Sequence, residues 1–182
     1  MAIVTEGRFV VPEVVVSHFH LRPGDSVADF GAGKGNFARV LSRAVGSDGR
    51  VYACEIQKNL VESLADMVRQ ERLGNVEPIW CDIESIGGTK IEDGVLDAAV
   101  VVNTLFQMEN KDTGVEEIKR TLRSGGKLFV IDWSESFGGM GPQPGDVFQE
   151  DEAKALVEAH GLVYERPFDA GDHHYGLAFR KP

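Results

Sequence analysis

Apolar residues along this chain recur in two rhythms, and the alternation between them marks out strands and helices in turn. Short apolar runs that end in a polar residue read as strands: Val27 up to Asp29, Arg50–Glu55, Val76–Cys81, Val95–Asn103 and Lys127–Asp132. Between them, apolar residues at helical spacing predict Asn36–Val45, with Phe37, Val40, Leu41, Ala44 and Val45 on one face. The same spacing predicts Lys58–Leu73, carrying Leu60, Val61, Leu64, Met67 and Val68, and Gly74 stands where a left-handed residue would close it. Ahead of these, Pro12 suits the first turn of a short helix reaching about His20, and Leu21–Asp25 reads as the turn that ends it. His18 and His20 are two residues apart on that helix and would face different ways, which argues against a metal pair.

The run Val95–Asn103 barely alternates, as expected of a central strand covered on both faces. Pro78 and Pro167 cannot donate to a ladder, so their strands belong at sheet edges. Thr113 and Glu116 fit a capping box for a helix that reaches Arg123 and stops at Ser124-Gly125-Gly126. The stretch from Ser134 to Gly145 reads as loop, Glu150–His160 as the last helix, and Val163–Phe168 with His174–Arg180 as a closing hairpin. Strands alternating with helices make an open, mostly parallel α/β sheet, with its ligand site beyond the carboxyl ends of the strands. Residues 1–182 read as a single domain, with residues 1–22 as a lead-in segment.

Chemistry concentrates in VADFGAGKGNF, Val27 to Phe37. Gly31 and Gly33 can turn tightly and let a ligand approach the backbone, and Gly35 allows close packing of the helix that follows. The free N–H groups at that helix start favour an anionic group. The strand-end residues Asp29, Glu55, Asp82 and Asn103 are the other polar candidates; the spacing of Glu55 from the glycine turn suits two ribose hydroxyls. Asp82 suits an adenine amino group, with Ile56 and Ile83 against the ring.

The net charge of −10 argues against wide contact with nucleic acid. Cys54 and Cys81 form no CxxC pair and suggest neither a disulfide framework nor a zinc site. Without a leader pattern or a membrane-length apolar run, a soluble cytoplasmic protein is expected.

Over essentially its whole length the chain resembles the class I S-adenosylmethionine-dependent methyltransferases. The resemblance runs through VADFGAGKG, the acid of VYACE, the CDI triplet, DAAVVVNT and LRSGGKLFVIDW. In PEVVVSHFHLRPGD and GPQPGD it is similar to a small bacterial subgroup near the ubiquinone/menaquinone-type enzymes. It implies a Rossmann-like methyltransferase fold, a seven-stranded sheet in the order 3-2-1-4-5-7-6 with strand 7 antiparallel, and S-adenosyl-L-methionine as cofactor. It further implies Asp29, Gly31, Gly33 and Asn103 around the methionine part, Glu55 at the ribose, and Asp82 with Ile83 at the adenine; Ala32, Gly35, Asn36, Ile56 and Thr104 complete the expected cofactor set.

Methyl transfer calls mainly for in-line positioning, with a general base only when the acceptor must lose a proton. Asp132 is one candidate, and His173 or His174 another. A small or medium-sized acceptor would be enclosed by the segment through His20 and the loop Trp133–Glu150, where Trp133, Phe137 and Phe148 could cover it. Two alternatives stay open. One is a cofactor-binding module without its own activity. The other is a nicotinamide-dependent oxidoreductase, whose Gly-x-Gly-x-x-Gly fingerprint is interrupted here by Asn36.

Overall fold

A computed structural model describes residues 9–182. Its strands are β1 (Ser26–Phe30), β2 (Arg50–Glu55), β3 (Val76–Trp80), β4 (Leu96–Val102), β5 (Leu122–Trp133), β6 (Val163–Pro167) and β7 (His174–Arg180). They form one seven-stranded sheet in the order β3-β2-β1-β4-β5-β7-β6. Neighbours are parallel from β3 to β5, and β7 runs antiparallel to both β5 and β6. Pro78 and Pro167 therefore lie on the two edge strands, where a missing N–H leaves no ladder partner unsatisfied.

The five α-helices are α1 (Pro12–Ser17), α2 (Asn36–Val45), α3 (Lys58–Glu71), α4 (Lys111–Thr121) and α5 (Glu150–Ala159). Two apolar clusters flank the sheet. One joins Val27, Ala98 and Val100 to residues of α1, α2 and α3, among them Val15, Leu41 and Leu64. The other joins Ala28, Phe30, Ala99 and Val101 to Val115 and Ile118 of α4 and to Val157 of α5. Successive residues of β1 and β4 thus enter opposite clusters, which is why the β4 run lacks alternation.

Several boundaries differ from the sequence expectation. The first helix ends at Ser17, so His18 caps it and His20 lies beyond, in a left-handed turn at φ 53°. Arg72, not Gly74, is the left-handed residue that closes α3. Asn110 caps α4 by accepting from Thr113 N at 3.2 Å, which places Thr113 inside the helix. No glycine stop follows α4: Leu122 turns to extended backbone and starts β5, pairing with Leu96, and Ser124-Gly125-Gly126 become part of that strand. Residues 1–8 of the expected lead-in and acceptor cover lie outside the described residues. Among the described residues no helix is long and apolar enough to cross a membrane.

Candidate functional site

Beyond the carboxyl ends of β1, β2 and β4 the chain forms two adjoining cavities, of about 450 and 480 Å³, which share Gly31, Gly33, Val102 and Asn103. Together they make a trough across the middle of the sheet, where strand order reverses about β1. Glu55, Ile56, Asp82, Ile83 and Thr104 line the first cavity; Asp29, Ala32 and Asn36 line the second.

The glycine turn is shaped by its surroundings. Gly31 takes φ 84°, and a Cβ built there would fall 2.2 Å from Thr104 Oγ1, so the β1 turn presses directly on the end of β4. Its N–H and that of Ala32 both donate to Cys54 O at 2.9 Å, tying the turn to β2. Gly35 lines neither cavity. Its φ is 79°, and its missing Cβ makes room for Met67 Cε and Leu64 Cδ2, so it admits α3 rather than a ligand.

Glu55 is buried, and both carboxylate oxygens are held by backbone donors. Oε2 accepts from Gly33 N at 3.0 Å, and Oε1 accepts from Ile56 N and Gln57 N, each at 2.9 Å. One side chain thus joins the glycine turn to the turn before α3. Asp82 organises its own loop, accepting from Glu84 N and Ser85 Oγ at 2.9 Å each.

The second cavity has a different character. Asp29 Oδ2 and Asn103 Oδ1 are buried and have no hydrogen-bond partner, an arrangement that calls for an absent donor. Burial, with Glu55 nearby, pushes the Asp29 carboxyl up to about 7. Asn103 holds a left-handed backbone at φ 52°, pinned by its N–H on Ile131 O and by Gln107 Nε2 on its own carbonyl. An asparagine tolerates that conformation better than most residues.

Other lining residues escaped the sequence reading. Leu60, Gln107 and Met108 face the first cavity; Pro12, Arg39 and Arg43 face the second. Helical spacing places Leu60 on α3 and the expected acceptor cover includes Pro12, but no local signal points to Met108, Arg39 or Arg43.

Asp132 is fully buried, and burial pushes its carboxyl up to about 6. Its oxygens accept from Phe106 N and Trp133 N, fastening the end of β5 to the short 3-10 turn Leu105–Gln107. It lines neither half of the trough. Of the three loop aromatics, Trp133 and Phe137 stand at the β5 and β7 ends, against His174 and His173. Phe148 turns elsewhere, its ring beneath Lys111 and its carbonyl bonded to Tyr175.

Cys54 and Cys81 are free, buried, and line the first cavity. The hydrogen bond with Cys81, together with burial, pushes the Cys54 thiol well up, so Cys54 is a poor nucleophile. Thiol titration of the unfolded, non-reduced chain is expected to find both thiols free; a smaller yield would show a bond between them.

A sheet in this order, with its one reversed strand next to the edge and a glycine turn facing two strand-end acids, is the arrangement of the class I S-adenosylmethionine-dependent methyltransferases. It differs from the dinucleotide-binding order, in which the added strand is parallel. Residues 28–130 match the methyltransferase domain family, and the chain belongs to that family.

The ubiquinone/menaquinone biosynthesis C-methyltransferase UbiE of Hydrogenovibrio crunogenus is 31% identical over 116 residues, covering 63% of this chain and 44% of that protein. The protein of the same name from Cupriavidus metallidurans is 28% identical over 121 residues, covering 66% of this chain and 48% of the relative. The chain therefore spans less than half the length of these curated relatives. A crystal structure of a SAM-dependent methyltransferase from Aquifex aeolicus superposes with a TM-score of 0.86 at 29% identity, over 94% of this chain and 89% of that one.

Proposed function

We propose that this chain binds S-adenosylmethionine and transfers its methyl group to a small or medium-sized acceptor. The observation that carries the reading is the trough's two-part chemistry: an anchored carboxylate in one half and two orphaned buried oxygens in the other. Residues of the first half suit a nucleoside. Glu55 keeps acceptor capacity beyond its three backbone bonds for a pair of ribose hydroxyls, while Ile56 and Ile83 offer apolar faces beside Asp82 for a purine.

Residues of the second half suit an amino acid. Asp29 Oδ2 and Asn103 Oδ1 are placed for an ammonium group, and the uncapped N-terminus of α2 lies beside Asn36 for a carboxylate. Gly31 and Gly33, common to both halves, let the backbone approach where the halves meet. When bound, the cofactor supplies a methyl group already activated on a cationic sulfur. The protein's work is then to orient the acceptor, keep water out, and remove a proton where the acceptor carries one. A chain with net charge −10 favours a small acceptor over a nucleic acid.

Calorimetric titration with S-adenosylmethionine and S-adenosylhomocysteine tests the reading. Glu55→Ala is expected to weaken both by about 1.5–3 kcal/mol, roughly tenfold to a hundredfold. Unchanged affinity would remove Glu55 from the site, and preference for a nicotinamide dinucleotide would overturn the assignment.

A further inference from the structure

A glycine turn that opens a helix is in many folds a phosphate site, because free turn amides and the helix dipole draw an anion to the place where a nucleotide carries its 5′-phosphate. Here the turn is wired the other way. The amides of Gly31 and Ala32 donate to Cys54 O, that of Gly35 donates to Ala32 O at 2.8 Å, and that of Gly33 donates to Glu55 Oε2. Four amides that a phosphate could use are thus spent inside the protein, one of them on a carboxylate.

The charges around the turn have the same sense. Among the described residues that line the first cavity are three acids, Glu55, Asp82 and Glu84, and no lysine or arginine. Gly33 is common to both cavities, so a group on the 5′ carbon of a bound nucleoside leaves the first half past Glu55 and enters the second, which Asp29 lines. Asp29 is buried, and its Oδ2 has no partner to offset the approach of an anion. The cations Lys34, Arg39 and Arg43 belong to the second half: Lys34 is exposed, and the two arginines already face Glu71 and Glu13.

We propose that Glu55 and Asp29 keep phosphate-bearing adenine nucleotides out of the trough, so that it takes nucleosides whose 5′ substituent is neutral or cationic. This deepens the methyltransferase reading and rests on it. A sulfonium and an ammonium gain from the two carboxylates, whereas a 5′-phosphate meets like charge and finds the turn amides taken. An ionised carboxyl only accepts, so neither side chain can donate to a phosphate oxygen.

Glu55 therefore selects twice. Its remaining lone pairs suit ribose hydroxyls, and its bond to Gly33 N sets a negative charge where a dinucleotide-binding turn keeps amides free for the pyrophosphate. Burial, and then Glu55, hold the Asp29 carboxyl at about 7, so it is ionised at pH 8 and adds its charge to that of Glu55 there.

Displacement calorimetry on the full chain at pH 8, with S-adenosylhomocysteine bound first, compares probes that share one nucleoside: 5′-deoxy-5′-methylthioadenosine, AMP and ADP. The thioether should displace the bound ligand, and AMP and ADP should each bind at least about thirtyfold more weakly than the thioether. Either nucleotide matching the thioether, or no displacement by the thioether, would overturn the proposal without any variant having to fold. Both results leave the methyltransferase reading standing, because S-adenosylhomocysteine is bound at the start. Its failure to bind removes that reading and the proposal with it.

Two variants assign the cause. Glu55→Gln and Asp29→Asn should each shrink the preference for the thioether over AMP about tenfold, whatever they do to the affinity for either probe alone. The ratio is the decisive readout, since a loss of structure in the turn weakens both probes alike and leaves their ratio where it was. A preference unchanged in both variants would show that shape, not charge, keeps phosphate out, and would end the assignment to Glu55 and Asp29.

Discussion

Glu117→Ala is expected to cost about 3–5 kcal/mol of folding stability, the range for breaking a buried ion pair from one side. Glu117 is fully buried on α4, and its carboxylate accepts from Gly87 N, Thr89 N, Thr89 Oγ1 and, twice, the Arg120 guanidinium. Arg120 in turn reaches Ile91 O and Asp93. Removing the carboxylate strands the Gly87 and Thr89 amides and the Thr89 hydroxyl hydrogen at once, and takes from Arg120 its buried counter-ion. The affected segment belongs to the site: Gly88 packs so tightly that a Cβ there would lie 2.1 Å from Asp82 O, so the clamp also steadies the Asp82 turn.

Glu117 has a definite pH signature. Burial alone would raise its carboxyl, but hydrogen bonds from Arg120, Thr89 and the Gly87 and Thr89 amides bring it down to about 2. The unfolded chain, with an ordinary carboxyl near 4.5, then binds more protons than the folded one between those values. The contribution, about 3 kcal/mol, is complete above pH ~4.5 and is lost as pH falls through ~2. Urea unfolding of the wild type should show that slope and Glu117→Ala should lack it; a variant within about 1 kcal/mol of wild type at pH 7 would reduce the network to a surface feature.

Legibility from sequence followed the range of the forces at work. Strand ends were closely readable because a polar residue near the close of an apolar run is a local signal: Glu55 ends β2, Phe30 follows Asp29 as the last residue of β1, and Asp82 lies just past Trp80, where β3 stops. The edge positions of β3 and β6 were readable because one proline removes one donor. The start of α4 was misplaced because two polar residues three apart, Asn110 and Thr113, both make plausible caps. The early start of β5 depends on Leu122 meeting Leu96, a pairing that local pattern does not express.

The site divides along the same line. The glycine turn and its acids are contiguous or at strand ends, whereas Gly87 and Glu117, whose contact steadies the Asp82 turn, are 30 residues apart and meet only in the fold. At Gly35 the pattern shows that a side chain is missing and so allows close helix packing, but not which helix fills the room; in the fold Met67 and Leu64 of α3 do.

Asp29→Asn is expected to act on binding and stability in opposite directions. In the cofactor-free chain the carboxyl is buried, its Oδ2 is unpartnered, and it stands at about 7 because burial and then Glu55 oppose its ionisation. The folded state therefore holds a proton that the unfolded state releases near 3.8, and stability falls as pH rises between those values. Asparagine removes that liability and should stabilise the cofactor-free chain at pH 8 by about 2 kcal/mol or more.

The same substitution deletes the anion set against a ligand ammonium group. S-adenosylmethionine affinity should fall by about 2–4 kcal/mol, roughly thirtyfold to a thousandfold. Wild-type affinity should rise up to about tenfold per unit as pH climbs toward 7 and then level, because the ammonium favours the ionised carboxyl. Binding below pH 7 should release about one proton, measurable by calorimetry in buffers of different ionisation enthalpy, and Asp29→Asn should release none from this group. A variant that loses both affinity and stability would mean that Asp29 supports the fold of the turn. One that keeps its affinity would move the ammonium site away from β1.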